Sequence, residues 1–118
     1  MKLLIVEDEA LVALALKQEA EQLGFTSSIA ATAEKAISLA TTERPDVIFM
    51  DINLSGDTDG LEAARKIVRA IRTDIYIITG YQVNRFETAE LGFHAVEILQ
   101  KPIPKGEIRR ILERYQTS

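Results

Sequence analysis

Glu7, Asp8, Asp51, Thr79 and Lys101 are the residues of this chain best suited to phosphoryl chemistry, because each stands at or just past the end of a short apolar run. Leu3 to Val6 leads into Glu7 and Asp8, and Val47 to Met50 leads into Asp51. Ile75 to Ile78 leads into Thr79 and Gly80, and the run from Val96 to Leu99 passes through Gln100 into Lys101 and Pro102. If the runs are parallel buried strands, one edge of one sheet collects three carboxylates, a hydroxyl and an ammonium. Such a set can hold a divalent cation and a phosphoryl group together.

A carboxylate just past a buried strand end is costly unless it is paired or binds a metal. Glu7 and Asp8 close to Asp51 aggravate this, since like charges oppose one another's ionisation. A hard divalent cation resolves the conflict, and Mg2+ takes oxygen ligands, usually one or two carboxylates with waters and phosphate oxygens. Asp8 and Asp51 are therefore expected as direct Mg2+ ligands, Glu7 as a ligand directly or through water, and the main-chain carbonyl of Asn53 as a further one. Glu9 is read instead as a helix cap. Lys101, followed by Pro102 in a stiff turn, is expected to aim its ammonium across the carboxylates; an X–Pro bond of this kind tolerates the cis form. Thr79 can donate to a phosphate oxygen, and Gly80 lets backbone approach closely.

The elements that must position these groups alternate along the chain. Runs apolar at consecutive positions suggest strands covered on both faces, and helical patterns separate them, so an α/β domain with a mostly parallel sheet is expected. Residues 26–31 form the weakest strand, suited to an edge. Residues 9–22 are rich in helix formers, with Gly24 as the left-handed stop beyond. Ala33, Ala36, Ile37 and Ala40 recur at helical spacing, as do Leu61, Ala64, Val68 and Ile71, and Ile108, Ile111, Leu112 and Tyr115. A short helix with a poor apolar stripe is expected over 84–91. The order is (βα) five times, and ligands in such sheets sit beyond the carboxyl ends of the strands.

With 118 residues, the chain suits one domain. A net charge of −4 and a pI near 5.0 argue against direct nucleic-acid binding. The absence of cysteine excludes disulfides and thiolate metal sites. No apolar stretch approaches the roughly 20 residues that span a bilayer, and Glu7, Asp8 and Glu9 interrupt the apolar start before it could serve as a signal peptide. The expectation is a soluble, cytoplasmic protein without membrane insertion.

Together, Glu7-Asp8, Asp51 within Met-Asp-Ile-Asn-Leu, the helix start Asp59-Gly60-Leu61-Glu62-Ala63-Ala64, Thr79-Gly80 and Lys101-Pro102 resemble the receiver domain of two-component response regulators over essentially the whole chain, 1–118. The resemblance implies a flavodoxin-like, doubly wound, five-stranded parallel sheet of order 2-1-3-4-5, which sets Asp8 beside Asp51. It implies that Asp51 is the phosphoacceptor, taking its phosphoryl group from a sensor histidine kinase or a histidine phosphotransfer protein. Asp8 and Glu7 would bind Mg2+, Thr79 would hydrogen-bond the phosphoryl group, and Lys101 would pair with it. Such a protein regulates by altering its surface for a downstream protein target, and it catalyses only its own phosphorylation and dephosphorylation. Asn53 and Tyr81 flank the expected path of water and are assigned to tuning the phosphoryl lifetime. Lys105, Arg109, Arg110 and Arg114 on the last helix could meet an acidic partner or support a homodimer through the last two helices and last strand.

The chain departs from the family pattern in three places. The loop from Asp51 to Gly60 is one residue longer than usual, Ser55 replaces a frequent proline, and Ile98 occupies a strand position where an aromatic residue often acts as a switch. Tyr81 is the nearest aromatic substitute. No output domain follows, so the chain is read either as a stand-alone receiver or as a fragment of a longer regulator or hybrid kinase. Three rival readings stand beside it. Asp51-Ile52-Asn53-Leu54-Ser55 loosely resembles the nucleophile loop of haloacid-dehalogenase-like phosphohydrolases, but Asn53 cannot serve as their acid/base aspartate. A flavin mononucleotide binder lacks its phosphate loop here, and a pseudo-receiver would not keep Asp8, Asp51, Thr79 and Lys101. His94 is read as a loop or surface residue.

Overall fold

The computed structural model describes residues 1–52, 54, 60–80, 95–104 and 106–116. Five strands and four helices are seen among them: β1 (Lys2–Val6), α1 (Ala10–Gln22), β2 (Thr26–Ala30), α2 (Ala33–Glu43), β3 (Val47–Asp51), α3 (Gly60–Ala70), β4 (Asp74–Thr79), β5 (Glu97–Gln100) and α4 (Glu107–Glu113). The sheet is entirely parallel, in the order β2-β1-β3-β4-β5. This is the expected doubly wound arrangement, with β1 and β3 adjacent at its centre. The short helix expected over 84–91 lies outside the described residues, as do Asn53, Ser55, Asp59, Tyr81, His94 and Lys105.

Parallel strands buried on both faces need apolar side chains at consecutive positions, and β1, β3 and β4 supply them between polar end residues. Their side chains alternate between two cores. Leu4, Val6, Ile48, Met50, Ile75 and Ile77 face α2 and α3, while Leu3, Ile5, Val47, Phe49, Tyr76 and Ile78 face α1 and α4. Burying each large side chain contributes roughly 1.5–3 kcal/mol, so the three central strands carry much of the stability and hold the site rigidly at their ends. β2 sits at one edge, as its composition suggests.

The other edge departs from the sequence expectation. β5 starts at Glu97, leaving Val96 outside the strand and 40% exposed. An edge strand needs no second layer along its whole length, so Gln100 is exposed and Glu97 is half-buried against Arg110 and Arg114. The stripe of α3 holds in part: Ala64 and, just past the helix, Ile71 are buried as expected, joined by Gly60, Ala63 and Ile67, with Leu61 and Val68 on the flanks. Small residues turn inward because they let the helix lie close to β3. In α4, Ile108, Ile111 and Leu112 are buried as expected, whereas Tyr115 falls in the turn beyond the helix.

Tyr115 joins a polar cluster at the foot of the β4–α4 core. Its hydroxyl donates to Asp74 Oδ2 at 2.7 Å and lies 2.8 Å from the hydroxyl of buried Tyr76, while their rings meet edge to face. Burial, then the bonds to Tyr76 and Asp74, hold the Tyr115 phenol protonated well above its usual range. The folded state therefore keeps a proton that the unfolded chain loses. Its contribution is complete below pH 10 and falls as pH rises past that point. Urea unfolding between pH 8 and about 11 is expected to show this alkaline decline, shallower in Tyr115→Phe; identical slopes in the two proteins would contradict it.

Candidate functional site

The site assembles where β1, β3, β4 and β5 end together. Glu7 and Asp8 follow the last residue of β1, and Asp51 is the last residue of β3. Because β1 and β3 are hydrogen-bonded neighbours with Val6 opposite Met50, the three carboxylates emerge side by side. One oxygen from each of Glu7, Asp8 and Asp51 lies within 4.8 Å of the others. Glu7 and Asp51 are each 1% exposed, and Asp8 faces solvent.

Lys101 reaches this cluster from the edge strand. Its backbone N–H donates to Thr79 O at 2.7 Å, fastening the end of β5 to the end of β4, and the Lys101-Pro102 bond is cis. The ammonium lies 2.9 Å from Asp51 Oδ2 and 2.9 Å from Glu7 Oε2. The contact with Asp51 is a hydrogen bond, whereas Glu7 Oε2 has an ion pair without hydrogen-bond geometry. Burial lowers the ammonium's affinity for its proton, but the hydrogen bond to Asp51 and the close carboxylate of Glu7 outweigh this and push its pKa up. Glu7 is pushed up as well, first by burial and further by the charge on Asp51, with Lys101 and the backbone N–H of Glu9 pulling the other way.

That balance provides a test of fit for Mg2+. Glu7 Oε2 is a buried oxygen with no hydrogen bond, and two further carboxylates stand within reach of the same point. One ammonium offsets part of this charge. Three convergent carboxylate oxygens are the donor set that a hard cation takes, so the residues fit the ion. Asp8, Asp51 and Glu7 are the groups that would hold it; Asn53, whose carbonyl was expected to join them, lies outside the described residues.

Thr79 ends β4 beside Asp51, whose strand partner is Ile78, and is completely buried; Gly80 follows it at the surface. The expectation that Glu9 caps α1 holds for its position but not for its side chain. Glu9 occupies the N-cap position, but its carboxylate makes no capping bond and instead lies 3.7 Å from Lys101 Nζ. The ammonium directly after β5, the far edge strand of the sheet, competes successfully for it. Also absent from the sequence reading is the surface beside Lys101. A groove between α1 and residues 101–104 is lined by Leu11, Val12, Ala15 and Ile103, with Leu11 84% exposed. An isolated exposed leucine gives no sequence signal until the chain brings Pro102, Ile103 and Pro104 beside it. Two of the basic residues at α4 are engaged within the chain: Arg110 pairs with Glu97 and Glu107, and Arg114, just past the helix, with Glu97.

Comparison with known proteins agrees with this geometry. The model of the response regulator receiver domain family matches residues 3–113. Sporulation initiation phosphotransferase F of Bacillus subtilis is 31% identical over 117 residues, covering 97% of this chain and 92% of that protein. The phyllosphere-induced regulator PhyR of Methylorubrum extorquens is 30% identical over 115 residues, 96% of this chain but 42% of the longer relative. Among solved structures, the receiver domain of a Pseudomonas aeruginosa sensor histidine kinase, determined with magnesium coordinated in its active-site cleft, has a TM-score of 0.80 at 28% identity, covering 99% of this chain and 98% of that one. No described helix is long and apolar enough to cross a membrane. With its sheet order, its strand-end acidic cluster and its match over residues 3–113, the chain belongs to the response regulator receiver domain family.

Proposed function

We propose that Asp51 is a phosphoacceptor that takes a phosphoryl group from a histidine of a sensor kinase or phosphotransfer protein. The observation that carries this reading is the position of Lys101 Nζ, 2.9 Å from both Asp51 Oδ2 and Glu7 Oε2 beside the Asp8 carboxylate. An Asp51 oxygen attacks phosphorus as the phosphorus–nitrogen bond of the donor breaks. The imidazole leaves with that electron pair and accepts a proton from solvent. Lys101 meets the charge spread over the phosphoryl oxygens, and Thr79 at the adjacent strand end donates its hydroxyl to one of them. Positioning and electrostatics supply most of such catalysis. Mg2+, when bound, would neutralise the carboxylates and polarise the phosphoryl oxygens. Water later cleaves the acyl phosphate, returning Asp51 and inorganic phosphate, with Asn53 and Tyr81 tuning the rate.

The groove lined by Leu11 and Ile103 supports approach of a protein donor from the α1 side. The reading extends to a regulator of a downstream protein rather than an enzyme with a substrate of its own, working in the cytoplasm. Incubation with acetyl phosphate and Mg2+ is expected to give a hydroxylamine-sensitive phosphoprotein, and Asp51→Asn to reduce this to background. Equal labelling of Asp51→Asn would overturn the assignment.

A further inference from the structure

We infer that Gly60 is a positioning residue for Asp51, acting through direct contact of the first turn of α3 with the main chain that carries the nucleophile. This rests on the reading of Asp51 as phosphoacceptor.

Gly60 opens α3 and is buried in the core. Glycine is a poor choice there on conformational grounds, since it weakens helices relative to alanine. Its backbone does not adopt the left-handed conformation that would demand glycine, unlike Gly24 and Gly106. Space is the reason instead. A Cβ at position 60 would fall 2.3 Å from the carbonyl oxygen of Asp51, 2.7 Å from Ile52 Cα and 3.0 Å from the Asp51 carbonyl carbon. All three are backbone atoms, so no side-chain rotation relieves the clash, and reaching ordinary contact needs a shift of about 1 Å.

The opposite side of that main chain is fixed as well. Ile52 N–H donates to Ile78 O at 3.1 Å, tying the residue after Asp51 to β4. The Asp51 peptide is thus clamped between the β4 ladder and the start of α3. Its carboxylate inherits that placement, and with it the 2.9 Å contact to Lys101. Ala63, Ala64 and Ile67, all completely buried along the same helix face, keep α3 seated.

A displacement of the reacting group by about 1 Å can reduce a rate about 10²-fold. The test compares Gly60→Ala with Ile67→Val, which loosens the same helix without touching Asp51. Acetyl phosphate labelling is measured at saturating Mg2+ and expressed per folded molecule, with trimethylamine N-oxide added where needed to restore folding. Gly60→Ala is expected to lower the maximal labelling rate about 10²-fold, with Ile67→Val unchanged. Equal rates in Gly60→Ala and wild type, or equal losses in the two variants, would overturn the inference. If Gly60→Ala does not fold even with the osmolyte, Ala64→Val decides, because overpacking one turn along must lift the same helix. A slower rate per folded molecule then supports the role, and an unchanged one overturns it. Wild type that is never labelled would instead sink the phosphoacceptor reading.

Discussion

Lys101→Ala is expected to slow labelling of Asp51 by about 10²–10³-fold, the usual loss when one preorganised charge donor is removed from a reacting centre. The side chain sits between two carboxylates that are 1–2% exposed, and it is the group shared by both. Removing it leaves Glu7 and Asp51 facing each other across a poorly solvated gap. Breaking a fully buried pair costs roughly 3–5 kcal/mol. Because the Lys101 side chain is 21% exposed and partly screened, about 2 kcal/mol is the better expectation for the metal-free protein. Mg2+ should restore part of this, since a ligand that binds only the folded state stabilises it. Urea unfolding with and without Mg2+, run beside phosphodonor labelling, checks both effects. Labelling at the wild-type rate would remove Lys101 from the chemistry, whatever the stability result.

Phe49→Ala should have the largest effect on stability, a loss of about 3–5 kcal/mol by large-to-small substitution in a core. The ring is completely buried, meets Tyr76 edge to face at a centroid distance of 5.6 Å, and lies two residues before Asp51 on the same face of β3. Aromatic pairing adds roughly 0.5–1.5 kcal/mol beyond area, so Phe49→Leu should lose less than Phe49→Ala. Chemical denaturation of the three proteins at one pH provides the comparison. A change below about 1 kcal/mol for Phe49→Ala would show that the core beneath the site is looser than its burial implies.

The sheet and most of the acidic cluster were legible from sequence because buried parallel strands announce themselves as continuous apolar runs. Val47 to Met50 followed by Asp51 needs no partner to be recognised. What stayed hidden depended on contacts between distant segments. The outward-facing Val96 follows from β5 being an edge, which its own residues do not declare. Glu9 looked like a cap because its neighbours in sequence form a helix, yet its carboxylate is drawn toward an ammonium supplied from position 101. Of the stripe expected in α3, Ala64 and Ile71 are buried, while Leu61 and Val68 sit on the flanks because the small Gly60, Ala63 and Ala64 let the helix lie close to β3. Nothing in the letters around Gly60 reveals that Asp51's own carbonyl fills the space where a methyl group would go.

Successive residues of β3 are packed into opposite compartments of the interior, Phe49 into one and Met50 into the other. The strand therefore behaves as a party wall: disturbances on either side are felt by the same terminal carboxylate. Alterations made in α2 or in α1, though they share no atoms, converge on one reactive group and should be compared by their effect there.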